Sequence, residues 1–164
     1  MNPSTPKISI ITVSFNSAQT IGDTLKSIAG QSYPNIEHII VDGSSTDQTM
    51  QIVTGFPHVA KCISEKDEGI YFAMNKGIAM ASGDVIGILN ADDLYADNGV
   101  IAKVAAVFED PAVDTTYADL VFVDREDVSK VVRTWKSGPF KRSSMYNGWM
   151  PPHPTFFVRR SLYE

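Results

Sequence analysis

Cysteine is nearly missing from this sequence: Cys62 stands alone, so no internal disulfide can form and no cysteine cluster can hold zinc. Its apolar neighbours point to a plain core thiol. Long hydrophobic runs are missing as well. No stretch reaches the roughly 18 to 20 uninterrupted apolar residues of a membrane-spanning helix, and residues 1–7 lack the apolar centre of a signal peptide. The expected compartment is the cytoplasm, including the inner face of the membrane. Histidine is sparse, and His38, His58 and His153 are too scattered to suggest a metal cluster. No G-x-G-x-x-G or G-x-x-x-x-G-K-[ST] pattern follows the first apolar run, which removes the dinucleotide-binding and P-loop classes. There is likewise no G-x-S-x-G of a hydrolase and no H-E-x-x-H of a zinc protease.

Acidic residues are scarce in one part of the chain only. Residues 130–164 hold seven Lys or Arg against Glu164 alone, net +6, whereas the residues before them hold seven basic and 18 acidic side chains, net −11. An acidic front part argues against a nucleic-acid partner, which wants a basic face; the basic tail suits an anionic acceptor, peripheral membrane contact or simply solvent.

What is present is ample apolar material, 43% of 164 residues, enough for one compact core. The β-branched run of residues 7–14 reads as a buried strand, and Ile21, Leu25 and Ile28 form the stripe of a following helix closed by Gly30 and Pro34. Residues 36–41 form a second strand. Ser45 and Gln48 have capping-box spacing for a short helix through Val53. Residues 61–64 give a third strand, and Ile70, Met74, Gly77, Ile78 and Ala81 the inner face of a helix ended by Gly83. Residues 84–89 make a fourth strand, and Val100, Val104, Val107 and Phe108 a fourth helix before Pro111. Residues 115–123 and 130–135 suggest a hairpin, and 137–154 a loop. This order predicts an α/β fold with a mainly parallel sheet and helices on both faces.

In such a sheet ligands bind beyond the carboxyl ends of the strands. Ser14-Phe15-Asn16, Asp42-Gly43-Ser44, residues 65–69 and Asn90-Ala91-Asp92-Asp93 all fall there. Taken singly, each is explained as a turn or a helix cap. Asp92 and Asp93 are harder to explain that way, because adjacent carboxylates repel unless a cation or donors offset them. A hard divalent cation held by one or two carboxylates and a substrate diphosphate is the natural occupant.

The runs 8–16 (ISIITVSFN), 39–47 (IIVDGSSTD) and 64–78 (SEKDEGIYFAMNKGI) resemble glycosyltransferase family 2, inverting enzymes whose catalytic domain has the Rossmann-like GT-A fold. The third run resembles a subgroup associated with bacterial exopolysaccharide and lipopolysaccharide assembly. The resemblance implies a single nucleotide-sugar-binding domain over residues 1–164, a UDP- or GDP-sugar donor, Mn²⁺ or Mg²⁺ as cofactor, and a glycan or lipid-linked acceptor. It implies that Val13 and Phe15 line the base pocket, that Asp42 accepts a hydrogen bond from the nucleobase, and that Asp67 lies on the same rim. Asp92 matches the last acid of the family's D-x-D signature and is the implied metal ligand; Asn90 replaces the first Asp, and Gly43 stands where many relatives have a second Asp.

Residues 151–164 resemble the family's lead-in to the acceptor region, so the general base is expected beyond Glu164 and the acceptor part outside this chain. The resulting alternative is a sugar-nucleotide-binding module without activity. A nucleotidyltransferase fits less well, since Ser14-Phe15-Asn16-Ser17-Ala18 is neither glycine- nor basic-rich. His153, set between prolines, reads as a fixed loop histidine, and Tyr146 and Trp149 as locally packed aromatics.

Overall fold

A computed structural model describes residues 5–163, leaving residues 1–4 and Glu164 outside it. The first half alternates strand and helix: β1 (Ile8–Ser14), α1 (Ile21–Ala29), β2 (Ile36–Asp42), α2 (Thr49–Val53), β3 (Val59–Ser64), α3 (Ile70–Met80), β4 (Val85–Ile88) and α4 (Val100–Val107). The second half is more irregular, with β5 (Thr115–Thr116), β6 (Leu120–Val123), β7 (Val131–Trp135), α5 (Arg142–Met145) and β8 (Phe157–Arg159). The main sheet has the order β3-β2-β1-β4-β8-β5, and β6 pairs with β7 in a separate ribbon.

β1 pairs parallel to both β2 and β4, so the chain steps outward to β3 and then crosses back to the other side of β1. That reversal is the topological switch at which a parallel sheet opens a crevice between strand ends. Every residue of β1 and β4 is buried, as expected of strands covered on both faces. One face gathers Ile8, Ile10, Val85 and Leu89 against Ile28 of α1, Ile101 and Ala105 of α4, and Phe108. The opposite face gathers Ile11, Val13, Ile39, Val41, Ile86 and Ile88 against Ala73 and Met74 of α3. A side chain on Gly77 would collide with Ile11 Cγ2, so only glycine allows α3 to lie this close to β1.

At the amino ends of the strands, Glu37 ties the layers together. It accepts from Ser9 Oγ at 2.6 Å, Ser82 N at 2.8 Å and Ser82 Oγ at 2.7 Å, with Lys7 and Lys61 at 3.2 and 3.0 Å. Burial alone would raise its pKa; these donors outweigh that and hold it well below the usual carboxylate range.

The α/β architecture and four parallel strands agree with expectation, but several local readings need correction. Ser45 and Gln48 form no capping box: Ser45 Oγ is bonded to Asp42, and α2 begins at Thr49 without a side-chain cap. Ile70 is half exposed, and Ala73, Met74 and Gly77 are the buried residues of α3. In α4 the buried positions are Ile101 and Ala105, not Val107. Residues 115–123 split, with β5 joining the main sheet and only β6 forming the hairpin. The stretch 137–154 contains the short helix α5, and β8 beyond it pairs antiparallel with β4. Cys62 is exposed, because β3 is the edge strand and alternates half-buried with exposed positions.

Candidate functional site

The carboxyl ends of β1, β2 and β3 meet in a row of side chains. Ser14 lies in register with Asp42, and Asp42 with Ser64. Asp42 is 0% exposed. Its carboxylate accepts from Ser14 Oγ at 3.0 Å, Ser45 Oγ at 2.5 Å, Ser64 Oγ at 2.6 Å and Ser45 N at 2.8 Å. Burial would raise the pKa of this carboxyl, but the Ser45, Ser64 and Ser14 donors outweigh it and keep it ionised below the ordinary value. Four donors saturate one carboxylate, so Asp42 lies beneath the rim as the pin of its loop and offers no free edge to a base. Val13 also lies beneath the rim, packed in the core under α3. Asp42 and Val13 therefore both lie at covered strand ends, one as the anchor of the loop and the other beneath it.

Above that row the loops are laced together. Asn16 N donates to Ser45 Oγ at 2.8 Å, Thr46 N donates to Asn16 Oδ1 at 2.9 Å, and Gly43 N donates to Ser14 O at 2.9 Å. Asp47 accepts from Ala18 N at 3.1 Å. Asn16 and Ser44 hold φ of 49° and 64°, left-handed conformations that a non-glycine residue keeps only when its surroundings fix it. Gly43 sits under two side chains: a Cβ on it would lie 3.1 Å from Asp67 Oδ2 and 3.4 Å from Phe15 Cδ2. Phe15 is 63% exposed, and Asp67 is half-buried with Oδ1 accepting from Gly69 N at 2.9 Å. Phe15 and Asp67 are therefore brought together over Gly43, and the space a second Asp at position 43 would fill is taken by Asp67.

The tip of β4 stands on the other side of the crevice. Asn90 Nδ2 donates to Asp93 Oδ2 at 3.0 Å, while Asn90 Oδ1 is buried with no partner among the described residues. Asp92 is exposed and enters no hydrogen bond or ion pair among the described residues. Burial, and then the charge of Asp92, raise the pKa of Asp93, opposed by Asn90 and by His153. An orphaned amide oxygen near an uncommitted carboxylate and a second, half-buried one is a hard-oxygen donor set, which fits a divalent cation. No group of three or more His, Cys, Asp or Glu suited to a metal occurs among the described residues, so remaining ligands would come from substrate oxygens and water.

Sequence reasoning passed over Ser14, Ser45 and Ser64 as the donors that hold Asp42. The signal was available, since Ser14 and Ser64 end their strands as Asp42 ends β2. His153 opens the turn of residues 153–155 that abuts β4, and it is the smallest of the influences that act on the Asp93 carboxyl. Trp149 packs locally, edge-on to Tyr117 at 5.6 Å, whereas Tyr146 is 83% exposed and does not.

A sequence profile described as glycosyl transferase family 2 matches residues 9–164. An uncharacterized glycosyltransferase of Mycobacterium tuberculosis is 42% identical over 102 residues, covering 61% of this chain and 39% of its own. Among solved structures, a mannosyltransferase of Pyrobaculum calidifontis in complex with GDP-Man and Mn²⁺ superposes with a TM-score of 0.73 at 22% identity, over 98% of this chain and 46% of its own. TarS of S. aureus, residues 1–349, in complex with UDP-GlcNAc gives a TM-score of 0.72 at 21% identity, over 95% of this chain and 46% of its own. The chain thus spans less than half the length of each of these proteins.

Proposed function

Because the chain belongs to glycosyl transferase family 2, we propose that it is the donor-binding part of a glycosyltransferase that moves a hexose from a UDP- or GDP-sugar to a glycan or lipid-linked acceptor, with a divalent cation and inversion at the anomeric carbon. The observation that carries this reading is the pairing across the switch crevice: Phe15 and Asp67 over Gly43 on one side, Asn90 and Asp92 on the other. Phe15 offers an exposed aromatic face for a nucleobase, and Asp67 a carboxylate for its N–H groups. Val13 is the floor of that pocket. Asp42 acts from below by fixing the loop, which revises its implied role as a direct base contact.

Asp92, with the amide oxygen of Asn90, would hold Mn²⁺ or Mg²⁺. Bound there, the cation would supply Lewis-acid charge to the diphosphate as it leaves. The neutral amide at position 90 lowers the site's negative charge relative to a pair of acids, so metal affinity should be modest. Inversion also needs a base on the acceptor side to take the hydroxyl proton. We assign that role to no residue of the rim, which keeps a donor-binding module without transfer as the second reading. Work at the inner membrane face is part of the proposal, since the acceptor class includes lipid-linked glycans.

Calorimetric titration of UDP and GDP with and without Mn²⁺, on this chain and on Asp92→Ala, tests the reading. One nucleotide should bind in a metal-requiring way, and the substitution should weaken it at least roughly tenfold, the loss of one charge-assisted contact. Equal binding by both proteins, or binding indifferent to metal, would remove Asp92 from the site. A transfer assay with the matching sugar nucleotide then separates enzyme from module.

A further inference from the structure

The ribbon and the segment after it leave an unusual surface uncovered. Every residue of β7 is exposed, α5 buries none, and from 130 to 150 only Ser137 is buried. Large apolar side chains stand in water there: Val132 at 65%, Phe140 at 57%, Tyr146 at 83% and Met150 at 68% exposure, beside Val131 and Met145. The same 21 residues carry five Lys or Arg and no Asp or Glu, in a chain whose net charge is −5. Lys130 is engaged by Asp124 at 3.4 Å, but Arg133, Lys136, Lys141 and Arg142 pair with no carboxylate among the described residues. Arg133 instead lies over the Phe122 ring, 5.1 Å from its centroid.

We infer that residues 130–150 form a docking surface for an anionic lipid bilayer. Isolated exposed apolar residues are ordinary, but a segment with one buried position, in which exposed valines, aromatics and methionines alternate with four cations that meet no carboxylate among the described residues, is not. Aromatic rings and aliphatic chains gain by entering the headgroup boundary, and each Lys or Arg gains from the negative surface potential. A protein partner would need an apolar patch ringed with carboxylates; a bilayer supplies both chemistries over any area and demands no matching shape.

The location matches this use. The hairpin tip reaches back to the donor side of the molecule, where Arg125 donates to Gln19, next to the loop that carries Phe15 and Asn16. Trp149 anchors the following segment by donating to Ser137 O at 3.0 Å and packing against Phe140, so the surface is attached to the body and not a free tail. No helix among the described residues is long and apolar enough to cross a membrane, and the surface proposed here is a lateral contact and not a spanning one. This deepens the proposal of work at the membrane face, and its readout is vesicle binding, with nucleotide binding serving only as a control.

Flotation of the chain with vesicles of phosphatidylcholine alone, and of phosphatidylcholine with phosphatidylglycerol, tests the inference. The chain should float with the anionic vesicles and not the neutral ones, and the binding should fall as salt rises. Charge reversal in Arg133→Glu with Lys136→Glu, Lys141→Glu and Arg142→Glu should weaken binding roughly hundredfold or more, at about fivefold per cation. A second variant, Met145→Ser with Tyr146→Ser and Met150→Ser, keeps the charges and the Trp149 anchor and should also release the protein. All seven side chains are exposed, so both variants should fold; unchanged circular dichroism and UDP or GDP titration serve as controls. Absence of flotation, equal flotation with neutral vesicles, or equal flotation of both variants would overturn the inference. So would sedimentation of the chain as a dimer that the second variant dissolves, since a second copy would then own the surface. Each of these outcomes leaves the donor-site reading standing.

Discussion

Asp42 cannot be removed without stranding its donors. Replacing it by alanine leaves the hydroxyls of Ser14, Ser45 and Ser64 and the Ser45 amide facing a buried gap, and Asp42→Ala should cost about 3 kcal/mol in a urea titration. Phe15→Ala should behave in the opposite way: its ring is exposed, so stability should stay within about 0.5 kcal/mol, while affinity for the nucleoside diphosphate falls roughly tenfold. The sequence made both residues conspicuous as polar or aromatic punctuation after a strand. It could not separate the supporting residue from the contacting one, because that depends on the register that sets Ser14, Asp42 and Ser64 side by side.

Elements were legible to the extent that burial is periodic. β1, β2 and β4 are apolar on both faces and bounded by polar residues, so their identity follows from composition. In α3 and α4 the expected positions Met74, Gly77, Ala81 and Phe108 are buried, but Ile70 and Val107 are apolar without being buried; a helix carrying apolar residues all round does not announce the full width of the side that meets the sheet. β8 went unread because three residues carry no period, and its antiparallel partner lies about seventy residues upstream. α3 also yields a test at this scale. Gly77→Ala pushes a methyl into Ile11 Cγ2 and must lift the helix from β1, so the melting curve should report a loss of about 1–3 kcal/mol even though alanine is the better helix former.

For the molecule as a whole, acid should be the weak side. His38 is buried, its Nε2 3.0 Å from Thr12 Oγ1 and its Nδ1 3.1 Å from His58 Nε2. Burial, and then the neighbouring His58, lower its pKa from 6.5 to about 3. The unfolded chain therefore takes up a proton near pH 6.5 that the folded chain refuses until about pH 3, and stability falls as pH drops through that window. His58, lowered by burial, adds to the same slope. Below about pH 4 the depressed carboxyls of Glu37 and Asp42 extend the loss, because their stabilisation is present only above their unfolded values. Urea titrations should give a loss of roughly 1.5 kcal/mol between pH 6.5 and pH 5, and His38→Gln should flatten most of it.

The late strand β8 has a further consequence, for the time before the fold is complete. It occupies the sheet between β4 and β5, so the backbone of β4 on that side lacks its proper neighbour until residues 157–159 have been synthesised. An apolar, fully buried strand waiting with an open flank is an invitation to pair with another nascent chain. Ribosomes crowded on one message would expose that vulnerability first, and holding β4 covered during elongation is the task a chaperone would meet in this protein.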